Sequence, residues 1–343
     1  LSAGLLGVAD SLGISESFCP VRAMLGAFLT EAHFPIPDLS ICSVGATCDD
    51  FSAIAQRLES MGFPILWWEI PARRVPDPDE ISIRLPGGFC APEIQIAQVR
   101  TELDRVRGAL EGIARSHLDD QTLAAGIHIA NQARYLLSEL RHTVFTARSC
   151  PLPALEMQIA EMLAIHFCSD RDECIHVLQE LLGEVRRRVD VEEGVLPEDA
   201  VRVFWINPVA DLRVMNLLED CGGRLCGSDY LFCHALDPIP EDLPPMDAMA
   251  RMALADPMVG PGWDRAERLC SDILRFGAEC AVISRIPGAS HCALESELIR
   301  NRIQCDLSIP VLEIEVPPVM DAMQFALRAR LEALIETVRQ KRR

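Results

Sequence analysis

Asp38-Leu39-Ser40-Ile41-Cys42-Ser43-Val44-Gly45-Ala46-Thr47-Cys48-Asp49-Asp50 is the stretch that decides the fold. Residues 38–44 have the length and apolar content of a short buried strand, and Gly45 to Cys48 form the turn that follows it. Asp49 and Asp50 stand where carboxylates cap a helix and favour its dipole, and that helix runs to about Met61. Pro64-Ile65-Leu66-Trp67-Trp68-Glu69-Ile70-Pro71 then reads as a second strand, which completes a β-α-β unit. The arrangement returns near the other end. Cys280-Ala281-Val282-Ile283-Ser284-Arg285-Ile286 is a strand, Gly288-Ala289-Ser290-His291-Cys292 a turn, and a helix follows from about Ala293 to Ile303. The closing strand is Pro310-Val311-Leu312-Glu313-Ile314-Glu315-Val316-Pro317, which matches residues 64–71 with Glu69 opposite Glu315. This is an internal repeat of one structural unit.

Between the repeats the pattern changes. Residues 93–190 carry apolar positions at helical spacing, as in Val99, Leu103, Val106 and Leu110, or Leu123, Ile127, Ala130, Ala133 and Leu137. Leu118-Asp119-Asp120 starts a new helix by capping, and Pro151 and Pro153 interrupt the run. A strand at 201–206, a helix at 209–219, a strand around Arg224 to Cys226, and helices near 246–255 and 263–277 complete the pattern. Strands alternating with helices imply parallel sheets covered on both faces. The expected organisation is an N-terminal α/β lobe at 1–92, a helical segment at 93–198 and a C-terminal α/β lobe at 199–343.

Composition narrows the function. A formal charge of −19 repels phosphate backbones, so no nucleic-acid role is expected. The single lysine, Lys341, leaves no Walker-type phosphate-binding lysine and no Schiff-base chemistry in the body of the chain. Apolar runs are broken before the roughly 18 residues of a membrane span. Residues 1–17 lack a basic leader and carry Asp10 and Glu16, which argues against a secretory signal. Fourteen cysteines without such a signal favour a reducing compartment, the cytoplasm, where thiols stay available for burial or for metal.

Position in the fold selects among those thiols. In open parallel α/β sheets functional residues gather in the loops after the carboxyl ends of strands. Cys48 and Cys292 occupy equivalent loops of the two repeats, and Cys19, in Ser17-Phe18-Cys19-Pro20, lies at the start of a helix running through Met24, Leu25, Phe28 and Leu29. A helix N-terminus favours the thiolate. The spacing is not a local C-x-x-C ladder, so the ligands must converge from distant segments. Cys42 is the main rival to Cys48, but strand alternation keeps it within the sheet; Cys90 reads as incidental, and Cys221, Cys226 and Cys233 as structural.

These residues resemble the subunits of 2-hydroxyacyl-CoA dehydratases and ATP-dependent benzoyl-CoA reductases. The resemblance is carried by Phe18-Cys19-Pro20 with Leu25-Gly26, by Cys48-Asp49-Asp50 after Pro37-Asp38-Leu39, by the helix containing Asn131 and Arg134, by Trp205-Ile206-Asn207-Pro208, and by the Cys292 turn before Ile309-Pro310-Val311-Leu312. It implies two Rossmann- or flavodoxin-like lobes and a 4Fe-4S cluster held by Cys19, Cys48 and Cys292. It also implies a dimer with an identical or paralogous subunit, and an electron delivered by an ATP-hydrolysing iron–sulfur activator. The reaction implied is radical dehydration of a 2-hydroxyacyl-CoA or reduction of an aromatic or enoyl-CoA. Within the same superfamily, a double-cubane-cluster reductase of small molecules is one alternative; a different class is a non-catalytic companion or electron-relay subunit of a heterodimer. Beside the third thiol, Ser290 and His291 are the candidate catalytic groups, His291 as donor of a hydrogen bond or proton. Glu69 and Glu315 read as loop-capping carboxylates, and Trp67 and Trp68 as core and interface aromatics.

Overall fold

The computed structural model describes residues 2–230, 236–290 and 294–343 of an α/β chain. The first part contains helices α1 (Ser2–Ser11) and α2 (Ala23–Thr30), strand β1 (Ser40–Gly45), α3 (Asp49–Ser60) and β2 (Ile65–Ile70). A short antiparallel ribbon of β3 (Ser82–Arg84) and β4 (Cys90–Pro92), absent from the sequence reading, precedes α4 (Glu93–Ala114). Four helices follow: α5 (Asp120–Thr146), α6 (Ala154–Glu161), α7 (Leu163–His166) and α8 (Arg171–Asp190). The last part runs β5 (Val201–Ile206), α9 (Val214–Asp220), β6 (Gly223–Asp229), α10 (Pro245–Ala255), α11 (Gly262–Arg275), β7 (Cys280–Arg285), α12 (Ser296–Leu307), β8 (Val311–Glu315) and α13 (Gln324–Arg342). No helix among the described residues is long and apolar enough to cross a membrane.

Both β-α-β stretches fold as read. β1 and β2 pair in parallel from Ser40 with Ile65 to Gly45 with Ile70, and β7 and β8 pair in parallel from Ala281 with Val311 to Arg285 with Glu315. The second pair belongs to a four-stranded parallel sheet ordered β6-β5-β7-β8. Its central strand β5 is covered on both faces, so Val203, Phe204, Trp205 and Ile206 are all fully buried where a one-sided strand would alternate. Each such side chain contributes about 1.5–3 kcal/mol of burial.

The repeat extends to how the sheets end. In β2 the outward-facing Glu69 N–H donates to the Glu102 carboxylate at 3.0 Å, and the Trp67 carbonyl accepts from Arg105 at 3.3 Å, both partners lying on α4. At the equivalent position of the second repeat the Glu313 carbonyl accepts from Arg330 of α13 at 2.5 Å. An arginine on the long helix after each repeat thus occupies part of the strand edge where a further strand would bond.

The chain divides into two compact units. The first comprises Leu1–His128, Asp237–Arg265 and Pro287–Leu294, and the second Ile129–Leu236, Ala266–Ile286 and Glu295–Arg343. The helical stretch 93–198 is therefore shared, with α4 in the first unit and everything from Ile129 on in the second. In the first unit one apolar cluster joins Ile70, Val99 and Leu254, and a buried Arg73 donates to Leu254 O at 2.7 Å and pairs with Asp264 at 3.0 Å. In the second, the buried Arg141 and Glu161 form an ion pair completed by the Ser228 hydroxyl.

Two element starts differ from expectation. α9 begins at Val214 rather than near 209, because the Asp211 carboxylate is taken by the Arg213 side chain and by the Met320 N–H at 3.1 Å, which holds the preceding residues as a loop. α12 begins at Ser296 rather than at about Ala293, since Gly288 and Ser290 are bound by residues of the first unit.

Candidate metal centre

Gly45 prepares the first of the expected ligands. Its φ of +96° and its approach to the Ile70 carbonyl admit no side chain, and Ala46 N–H donates to that same carbonyl at 2.8 Å. The turn so fixed delivers Cys48 as the N-cap of α3, with φ −71° and ψ 112°. Burial pushes the half-buried Cys48 thiol up. The backbone N–H of Phe51 opposes this, the Asp50 charge adds to it, and the Asp50 N–H again favours thiolate. Ser52 Oγ donates to Ser43 O at 3.0 Å and so ties α3 back to β1.

Cys19 is also a cap. Expected at the start of the helix running through Met24 to Leu29, it is instead the N-cap of a 3-10 turn, Pro20–Arg22, that leads into α2. Pro20 explains the shift, since proline lacks an N–H and belongs in the first turn. That 3-10 turn packs against α3. Arg22, only 4% exposed, donates to the Phe18 carbonyl at 3.0 Å and reaches Asp10 at 3.4 Å, which places a fixed positive charge behind the Phe18–Cys19 peptide.

The third expected ligand, Cys292, and its neighbour His291 lie outside the described residues. The backbone leading to them does not. Gly288, at φ +78°, lies so close to Phe18 that a Cβ would stand 2.7 Å from its carbonyl carbon and 2.9 Å from the Ser17 carbonyl carbon. Ser290 donates both its N–H, at 3.0 Å, and its hydroxyl, at 3.1 Å, to Asp50 Oδ2. The segment before Cys292 thus meets the residue before Cys19 and the residue two after Cys48, all within the first unit. Among the described residues, no three His, Cys, Asp or Glu side chains form a metal-binding group.

The family model of 2-hydroxyglutaryl-CoA dehydratase, D-component, matches residues 2–338. The chain belongs to this family. It is accordingly a component of a 2-hydroxyacyl-CoA dehydratase-type enzyme. No curated protein matches the chain.

The remaining cysteines fall where strand and helix packing put them. Cys42 is 4% exposed within β1, and burial raises its thiol. Cys90 is half-buried on β4; Cys221 and Cys226 are buried at the end of α9 and within β6. Cys233 is outside the described residues. Trp67 donates to Glu59 at 3.0 Å. A cavity of about 290 Å³ in the second unit is lined by Arg285, Glu313, Glu315, Met323, Leu327 and Arg330 among others, with no cysteine in its wall.

Two residues of this site escaped the sequence reading. Asp50 reads in the sequence as a helix-capping and motif residue with no partner of its own, yet Asp49 faces solvent while Asp50 is 8% exposed and turned toward Ser290. Gly288 was only a turn residue. The signal that flags them is a second carboxylate in a first turn whose dipole Asp49 already serves, and a glycine four residues before a cysteine.

Proposed function

We propose that this chain is the iron–sulfur subunit of an acyl-CoA dehydratase, acting on a 2-hydroxyacyl-CoA, with Cys19, Cys48 and Cys292 holding a 4Fe-4S cluster. The observation that carries the reading is the meeting of the Gly288–Ser290 backbone with both Phe18 and Asp50, because it gathers three segments far apart in sequence. The donor set fits the group. Two half-buried thiols cap helical turns, and backbone N–H groups of Phe51 and Asp50 act on the Cys48 sulfur, as donors do around sulfur ligands of clusters.

When bound, such a cluster supplies one-electron transfer and an iron position open to a substrate oxygen. The chain's own residues do the rest. Arg22 holds the Phe18–Cys19 peptide, Ser52 and Gly45 fix the start of α3, and Asp50 holds Ser290. His291, next in sequence to Ser290, is the group proposed to move a proton. A D-component is by its name one part of a larger system. The partners proposed are an identical or paralogous subunit and an ATP-hydrolysing iron–sulfur activator, in the cytoplasm.

Iron and sulfide content after anaerobic purification tests this, together with paramagnetic resonance. About four irons per chain is the expected result and about eight indicates a double cubane. Cys48→Ala and Cys292→Ala should each lose iron while retaining helical content. A wild-type chain without iron, or full iron in Cys292→Ala, overturns the reading.

A further inference from the structure

We propose that Asp50 is a positioning residue: its carboxylate clamps Ser290 to the first turn of α3 and thereby docks the segment carrying Cys292 before metal arrives. This rests on the cluster reading above. A carboxylate 8% exposed at the start of a helix is costly unless hydrogen bonds replace water. The dipole does not require that burial, because Asp49, one residue earlier and exposed, already serves it. What compensates Asp50 is Ser290, whose N–H and hydroxyl both reach Oδ2 from 240 residues along the chain. A second, independent contact acts two residues earlier, where Gly288 abuts the Phe18 backbone with no room for a side chain. Two pins therefore fix the backbone immediately ahead of His291 and Cys292.

The benefit is preorganisation. A site assembled from three distant segments must order them when metal binds, and that cost weakens affinity; a segment already docked avoids it. Residues that orient ligands in this way typically change metal affinity 10–100-fold when removed.

The test uses the full chain, reconstituted anaerobically with ferrous iron and sulfide, as wild type, Asp50→Asn, Ser290→Ala and Ser290→Thr. The readouts are the rate of iron loss to bipyridyl, the sulfur-to-iron charge-transfer band, and hydrogen exchange of the metal-free chain over residues 287–290. Asp50→Asn and Ser290→Ala should release iron about tenfold faster and exchange faster at 287–290 without metal. Ser290→Thr, which keeps the hydroxyl, should restore wild-type release. Equal release from wild type, Asp50→Asn and Ser290→Ala overturns the clamp. A wild-type chain that takes up no iron overturns the cluster reading instead. If Asp50→Asn does not fold, the comparison of Ser290→Ala with Ser290→Thr still decides.

Discussion

Replacing Gly288 by alanine probes the docking of the third segment directly. Two costs arise. Alanine at φ +78° pays for a left-handed conformation, about 1–2 kcal/mol. Its Cβ would also stand 2.7 Å from the Phe18 carbonyl carbon where ordinary contact begins at 3.4 Å, so two backbones must part by roughly 0.7 Å. Overpacking of that kind costs about 1–3 kcal/mol more. The sum, about 2–5 kcal/mol, rivals the worth of the two hydrogen bonds to the Asp50 carboxylate, about 1.5–3 kcal/mol each. The segment should therefore leave its dock in an appreciable fraction of molecules. Gly13→Ala is the control, because Gly13 has φ +83° but nothing within 4 Å of its would-be Cβ. Hydrogen exchange over residues 17–22 and 287–290, read with iron content, should show local opening and iron loss in Gly288→Ala and neither in Gly13→Ala. Indistinguishable behaviour of the two variants would refute the close approach as the reason for glycine.

Other outcomes follow from the second unit and the sheet edges. Glu161→Ala should remove a carboxylate partner of Arg141, itself 7% exposed, and lower the thermal midpoint of the second unit, since breaking a buried pair costs up to about 3–5 kcal/mol; calorimetry that shows no fall would contradict the pairing. Glu102→Ala should accelerate exchange of the Glu69 amide while leaving the amides bonded between β1 and β2 protected, which exchange measured by NMR can resolve. Burial raises the Asp272 carboxyl, with Arg141, Arg268 and Arg275 lowering it and Asp229 raising it further. A raised acid binds its proton more tightly in the folded state, so stability is whole below the unfolded value, near 3.8, and is lost as pH climbs toward the folded value. Asp272→Asn should match wild type at the acid end and exceed it in urea midpoint above that window, and a pH-independent difference would count against the assignment.

The helix capped at Asp119 was legible because Thr122 N–H donates to that carboxylate at 2.8 Å, a contact three residues away. The parallel pairs β1–β2 and β7–β8 were legible for a similar reason: a helix between two apolar runs leaves no room for a hairpin. Cys48 was marked as a strand-end thiol by the Gly45 turn after the strand and by its match with Cys292 in the repeat. The β3–β4 ribbon was not, since three-residue strands carry too little pattern to separate from a loop.

Sequence by itself thus determined the paired β-α-β stretches, the run of helices between them and the position of Cys48 between β1 and α3, because each depends on neighbours within a few residues. Tertiary structure decided what those ends meet. Nothing local to Pro287–Leu294 states that it packs with the first unit although β7 and α12 belong to the second. Nor does the Asp49-Asp50 pair reveal which carboxylate turns inward, for that depends on a serine 240 residues away offering two donors to a group that water no longer reaches.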